Sequence, residues 1–217
     1  MPYKAVIFDL DGTLLDTLED IGTAVNRVLV RKGFAQHPIH LYRQFVGEGA
    51  RRMIMRALPE EHRDEITVQD CLEEYLVEYE RCWNKTTRLY KGIPELLDRL
   101  VSRGIKPAVL SNKPVAFTRQ CVSELLSSWR FDAVIGESEK MPRKPDPQGA
   151  LSIAEQMNID PKDILFVGDS GVDMKTAKAA GMFAVGALWG FRDRDELQQK
   201  GADVLAQHPM EILQLIK

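Results

Sequence analysis

The stretch Ala5-Val6-Ile7-Phe8-Asp9-Leu10-Asp11-Gly12-Thr13 decides how this chain is read. Its four apolar residues predict a buried strand. Residues two apart on a strand share a face, so Asp9 and Asp11 emerge side by side where the strand stops. Gly12 opens the backbone beside them. Two carboxylates held this close suit a division of labour, one as nucleophile and the other as acid and base. The bland alternative is an acidic turn that closes a core strand.

Further segments repeat the pattern of an apolar run ending in polar residues. Pro107-Ala108-Val109-Leu110 runs into Ser111-Asn112-Lys113, and Ile164-Leu165-Phe166-Val167 runs into Gly168-Asp169-Ser170-Gly171-Val172-Asp173. Between them, Lys144-Pro145-Asp146-Pro147 precedes a predicted helix at 148–157. Shorter apolar strands are expected at 133–135 and 183–187. Helices are expected from Pro94 to about 103, at 114–126, at 173–180 and at 209–216. Wholly apolar strands alternating with helices indicate a doubly wound α/β fold, a parallel sheet covered on both faces.

One stretch interrupts the alternation. From Asp16 to about Arg88 the sequence reads as almost purely helical. Leu18, Ile21, Val25, Val28 and Leu29 recur at helical spacing over 17–31, and Gly49–Leu58 predicts a shorter helix. Over 67–85, Val68, Cys71, Leu72, Tyr75, Leu76, Tyr79, Cys82 and Trp83 form one apolar stripe, with Thr67 and Asp70 spaced to cap its start. The aromatics of that stripe are read as core packing. The expected organisation is an α/β core from 1–15 and 89–217, with an inserted helical cap domain at 16–88.

In order and content these segments resemble the haloacid dehalogenase superfamily of phosphotransferases. The resemblance implies a nucleophilic Asp9, an acid and base at Asp11, a phosphate-binding Ser111 and a cationic Lys144. It also implies a Rossmann-like core and a cap seated over the site. In an open parallel sheet, ligands bind beyond the carboxyl ends of the strands, so Asp9, Ser111 and Asp169 should meet at one edge. A carboxylate approaching a phosphate monoester is repelled, and a hard cation held by oxygen relieves this. The expected cofactor is Mg²⁺, with Asp169 as prime ligand, Asp9 and the main-chain carbonyl of Asp11 beside it, and Asp173 as support. Asn112 is expected on the phosphoryl oxygens. Lys113 and Arg143 are read as contributors to the field only.

The implied activity is Mg²⁺-dependent hydrolysis of a small phosphate monoester through an aspartyl-phosphate. A dehalogenase needs no second acid, so Asp11 favours phosphoryl transfer. Phosphonate-cleaving relatives lack an acid at that position. A hexose-phosphate mutase keeps both acids, and a non-catalytic phospho-ligand-binding protein would show decay of a motif. Phe45-Val46-Gly47-Glu48-Gly49-Ala50, Leu110 to Pro114, Arg143-Lys144-Pro145 and Trp189-Gly190-Phe191-Arg192 are similar to the phosphoglycolate phosphatases. Pyrophosphatases and sugar-phosphate phosphatases share much of this and are the alternatives. Gly47, Glu48, Gly49 and Arg51 are the expected specificity elements, with Arg51 suited to a substrate carboxylate.

Composition sets outer bounds. The chain has 217 residues and a net charge of −3, which gives no broad basic surface for nucleic acid. No apolar stretch approaches the ~18 residues a membrane span needs. Met1-Pro2-Tyr3-Lys4 runs straight into the strand that carries the chemistry, so no removable leader is expected. Cys71, Cys82 and Cys121 show no metal spacing, and a reducing cytoplasm is the expected setting. His37, His40, His62 and His208 are read as unpartnered surface residues.

Overall fold

The computed structural model describes residues 3–216; Met1 and Pro2, read above as leading into the first strand, lie outside them. Six parallel strands form one sheet: β1 (Ala5–Phe8), β4 (Lys106–Pro114), β5 (Ala133–Glu137), β6 (Ile164–Gly168), β7 (Phe183–Ala187) and β8 (Val204–Ala206). Their order is β5-β4-β1-β6-β7-β8. The chain leaves β1 for β4 on one side and later returns to β6 on the other. The strand order therefore reverses at β1, and the carboxyl ends of β1, β4 and β6 border the crevice.

The pleat explains why these strands are apolar throughout. Val6 and Phe8 bury into one cluster, together with Leu165 and Val167 of β6. Ala5 and Ile7 bury into a second cluster, with Ile164 and Phe166. Helices α5 (Ile93–Ser102) and α6 (Val115–Leu125) contribute to the first cluster. Helices α7 (Gln148–Met157), α8 (Gly171–Ala179) and α9 (Arg194–Gln199) contribute to the second. Both faces are covered, so neither face of a strand has use for a polar residue.

The helical stretch comprises α1 (Leu18–Arg31), α2 (Tyr42–Phe45), α3 (Ala50–Ala57) and α4 (Glu65–Glu80). A two-stranded antiparallel ribbon of β2 (Leu15–Asp16) and β3 (Arg88–Leu89) ties its ends together. Asp20 reinforces that closure, since its carboxylate accepts hydrogen bonds from the backbone and hydroxyl groups of Thr86 and Thr87.

Several boundaries differ from the sequence expectation. Helix α4 starts at Glu65, and its cap is Asp64, whose side chain accepts from the amides of Ile66 and Thr67. Thr67 lies inside the helix and donates its hydroxyl to Asp64, so no Thr67–Asp70 cap forms. The helix ends at Glu80, although Cys82 and Trp83 stay buried in the following turn. The terminal helix at 209–216 is a 3₁₀ segment, Pro209–Gln214. The short β2, β3, β8, α2 and α9 carry too few residues to show a period.

Candidate active site

Asp9 and Asp11 follow β1, as the two-residue spacing requires. The Asp9 amide continues the ladder by donating to the Val167 carbonyl at 2.9 Å. Asp9 Oδ1 accepts from the Leu10 amide at 2.7 Å and lies 2.9 Å from Lys144 Nζ. Lys144 also donates to Asp173 Oδ1 at 2.6 Å. Asp9, Asp169 and Asp173 are all buried, and each offers an oxygen within 4.8 Å of the others. Three buried carboxylates thus crowd together, and two of them pair with one ammonium. Burial pushes the Asp9 carboxyl up to about 7; Lys144 opposes that rise and Asp173 adds to it. Burial, then the charges of Asp9 and Asp173, hold Asp169 well above the usual carboxylate range. Burial disfavours the charged Lys144, but Asp173 and Asp9 outweigh it and raise its pKa.

The environment of Asp169 is built by glycines. Gly12 has φ +87°, and a Cβ there would sit 2.2 Å from Asp169 Oδ2. A Cβ on Gly190 would sit 2.2 Å from the Asp169 Cβ. The 189–191 turn can therefore close on the carboxylate, and the Phe191 amide donates to Oδ2 at 2.7 Å. Asp173 is differently placed. Its Oδ2 accepts from the amide and hydroxyl of Ser170 in a capping box at the start of α8, and its Oδ1 accepts from Lys144. Both of its oxygens are occupied by protein donors, whereas Asp9 Oδ2 has no hydrogen-bond partner among the described residues. Asp169 also accepts at both oxygens, from the Thr13 hydroxyl at 3.4 Å and the Phe191 amide, and the three-acid cluster could hold a hard divalent cation, with Asp9 Oδ2 the oxygen free of protein donors.

The site opens into a cavity of about 40 Å³ between the sheet edge and the helical stretch. Asp9, Asp11, Ser111, Asn112, Lys113 and Pro114 line it from below. Ile21, Val46, Gly47, Gly49, Ala50, Met53 and Tyr75 line it from above. Asn112 is fully engaged: Nδ2 donates to the carbonyls of Gly47 and Lys144, and Oδ1 accepts from the Lys144 amide. It ties the lysine loop to the 47–49 loop. Arg192 grips the same loop from the other side, donating to the Val46 carbonyl at 2.8 Å.

The expected specificity residues divide. Gly47 and Gly49 line the cavity, with φ of +113° and +90°. Glu48 and Arg51 do not line it. Glu48 pairs with Arg52 and Arg56, and Arg51 pairs with Glu65 and Gln69. The Asp11 carboxylate likewise stands apart from the three-acid cluster. Instead it accepts from Lys113 Nζ at 2.9 and 3.2 Å. Lys113 is therefore not a distant field charge but a buried member of the site. β4 runs past Leu110 to Pro114, with a shift in its register against β5 between those two residues, and Lys113 lies in that buried extension. Arg143 pairs with Glu137. Two histidines depart from expectation: His37 is half-buried, bonds the Ala57 carbonyl through Nε2 and donates its amide to Asn26, and the exposed His208 accepts from the Met210 amide at Nδ1.

A profile of haloacid dehalogenase-like hydrolases matches residues 6–187. A phosphoglycolate phosphatase of Nitrosospira multiformis is 34% identical, over 100% of this chain and 97% of that one. An N-acetylmuramic acid 6-phosphate phosphatase of Pseudomonas aeruginosa is 32% identical, over 100% of this chain and 96% of its own length. Among solved structures, a protein from Lactobacillus delbrueckii subsp. bulgaricus, provisionally named a phosphoglycolate phosphatase, superposes with a TM-score of 0.93 at 29% identity. That match covers 100% of this chain and 99% of the other.

Proposed function

Because the chain belongs to the haloacid dehalogenase-like hydrolases and is a phosphoric monoester hydrolase, we propose that it removes phosphate from a small monoester through Asp9, with phosphoglycolate as the first-ranked substrate. The observation that carries this reading is the pairing of Asp9 and Asp11 on one cavity wall, with Lys144 2.9 Å from Asp9.

Asp9 attacks phosphorus, and the bond from phosphorus to the leaving oxygen breaks as the aspartyl-phosphate forms. Asp11 gives its proton to that oxygen. It then takes a proton from the water that attacks the aspartyl-phosphate, which releases inorganic phosphate and restores Asp9. The Ser111 hydroxyl, buried at the cavity floor, donates to a phosphoryl oxygen, and the Lys144 ammonium offsets the negative charge gathered there. Asn112 serves by holding Lys144 and the 47–49 loop in place. When bound, Mg²⁺ held by Asp9, Asp169 and the Asp11 main-chain carbonyl, with Asp173 in support, supplies charge that lowers the repulsion between carboxylate and phosphate.

The helical segment at 16–88 acts as the cap and closes the cavity over the leaving group. The Nitrosospira relative supports a two-carbon hydroxy acid as the leaving group. The Pseudomonas relative supports a sugar phosphate as the second reading. A cytoplasmic setting belongs to the same reading, supported by three buried free thiols. No helix among the described residues is long and apolar enough to cross a membrane.

The test is a substrate panel with Mg²⁺: phosphoglycolate, pyrophosphate, hexose phosphates and N-acetylmuramic acid 6-phosphate, ranked by kcat/KM. Phosphoglycolate is expected first. A sugar phosphate ranked first would replace the substrate but keep the chemistry. Hydrolysis of none would overturn the reading.

A further inference from the structure

Lys113 takes no part in the mechanism above, yet it is only 7% exposed. A buried ammonium is costly unless its donors are satisfied. All three are used here. Two reach the oxygens of Asp11 at 2.9 and 3.2 Å, and the third reaches the Tyr79 hydroxyl at 2.8 Å. The ammonium also lies 4.7 Å from the centre of the Tyr79 ring. Tyr79 is itself buried on α4, stacked on Tyr75 and edge-on to Phe117. The end of β1, the end of β4 and α4 thus meet at one cation.

This geometry has a consequence for Asp11. Both of its oxygens are held by one ammonium, which fixes the rotation of the carboxyl plane. Lys113 has no donor left for a substrate oxygen. We propose that Lys113, anchored by Tyr79, is a positioning residue that aims the Asp11 carboxyl at the leaving-group oxygen, so that leaving-group protonation depends on α4 being seated. The proposal rests on the reading of Asp11 as acid and base. In the step it serves, the bond from phosphorus to oxygen breaks and its electron pair stays on the leaving oxygen. The proton on Asp11 moves to that oxygen, and Lys113 remains an ammonium throughout. Hydrolysis of the aspartyl-phosphate returns a proton from water to Asp11, so the cycle balances.

The experiment compares kcat/KM on two esters, with Mg²⁺ present. Phosphoglycolate releases an alkoxide that must be protonated, whereas 4-nitrophenyl phosphate releases a phenolate that leaves unaided. Lys113→Met is expected to lose about 100-fold or more on phosphoglycolate and less than about tenfold on the aryl ester, as loss of well-aimed acid catalysis predicts. Tyr79→Phe keeps the ring and should show the same selectivity at smaller size. An equal fall on both esters would mean that Lys113 only supports the fold, and would overturn the proposal. Where Lys113→Met fails to fold by circular dichroism, Tyr79→Phe decides alone: an equal effect on both esters, or none, overturns it. Asp11→Asn separates the two levels. If that variant is not selective, the acid reading fails. If it is selective and the Lys113 and Tyr79 variants are not, only the positioning role fails.

Discussion

Asp9, Asp169 and Asp173 crowd together beside a single buried ammonium that pairs with Asp9 and Asp173 only, and that imbalance makes this site measurable without substrate. The folded protein holds the Asp9 proton more tightly than the unfolded chain, with a value raised from 3.8 to about 7 mainly by burial. Between those values the folded state carries more protons than the unfolded state, so stability falls as pH rises. In chelator, the melting temperature should therefore drop as pH is raised from about 4 to about 7, and Mg²⁺ should restore it. Asp169→Asn removes one of the crowded charges. It should melt higher than the parent in chelator and lose most of the Mg²⁺-induced rise, which differential scanning calorimetry would record. A parent-like response to Mg²⁺ in that variant would remove Asp169 from the metal site. At this scale the sequence was legible wherever a residue ends an apolar run, as Asp9, Ser111 and Asp169 do. Lys113 was not, because the strand was taken to stop at Leu110, whereas β4 continues to Pro114 and draws the lysine inward. Glu48 and Arg51 misled for a different reason. Loop composition does not reveal that Arg52 and Arg56 claim Glu48, or that Glu65 claims Arg51.

The elements carry the site by holding two crossings in register. One is the ribbon of β2 and β3, backed by the Asp20 carboxylate on Thr86 and Thr87. Those donors hold the Asp20 carboxyl below its ordinary value against the opposing effect of burial. Asp20→Ala leaves the two threonines unpaired and should lower the unfolding free energy by about 2–3 kcal/mol, read from urea titration. An unchanged midpoint would show that the ribbon closes without it. The other crossing is the 46–49 loop, gripped by Asn112 and Arg192. Continuous apolar runs gave β1, β6 and β7 to within a residue, and the 148–157 helix is bounded as its period predicts. The start of α4 was misplaced because Asp64 offers a stronger cap than Thr67 and recruits the threonine hydroxyl as well. Strands of two or three residues hold no period to read, so β2, β3 and β8 are set by pairing alone.

At the scale of the whole molecule, one sheet edge and one helical layer enclose a space of about 40 Å³, and every residue assigned to phosphoryl transfer borders it or stands directly behind it. The order β5-β4-β1-β6-β7-β8 places β1 at the centre, which explains how residues as distant as Asp9, Ser111 and Asp169 converge. That convergence followed from the alternation of strands and helices. The closeness of the upper wall did not, because it depends on contacts such as those of Tyr75 and Met53 that no local pattern reveals. Asp9→Asn should still fold, with a circular dichroism spectrum like the parent's, and lose at least about 1000-fold in kcat. The central claim, that phosphate passes through Asp9, is tested most directly by acid-quenching the Mg²⁺-loaded protein within its first turnover of phosphoglycolate and measuring the mass of the peptide that carries Asp9. The account predicts one added phosphoryl group on that residue, absent from Asp9→Asn and from protein in chelator. Turnover at the parent's rate with no phosphoryl group on Asp9, and with Asp9→Asn still active, would contradict it.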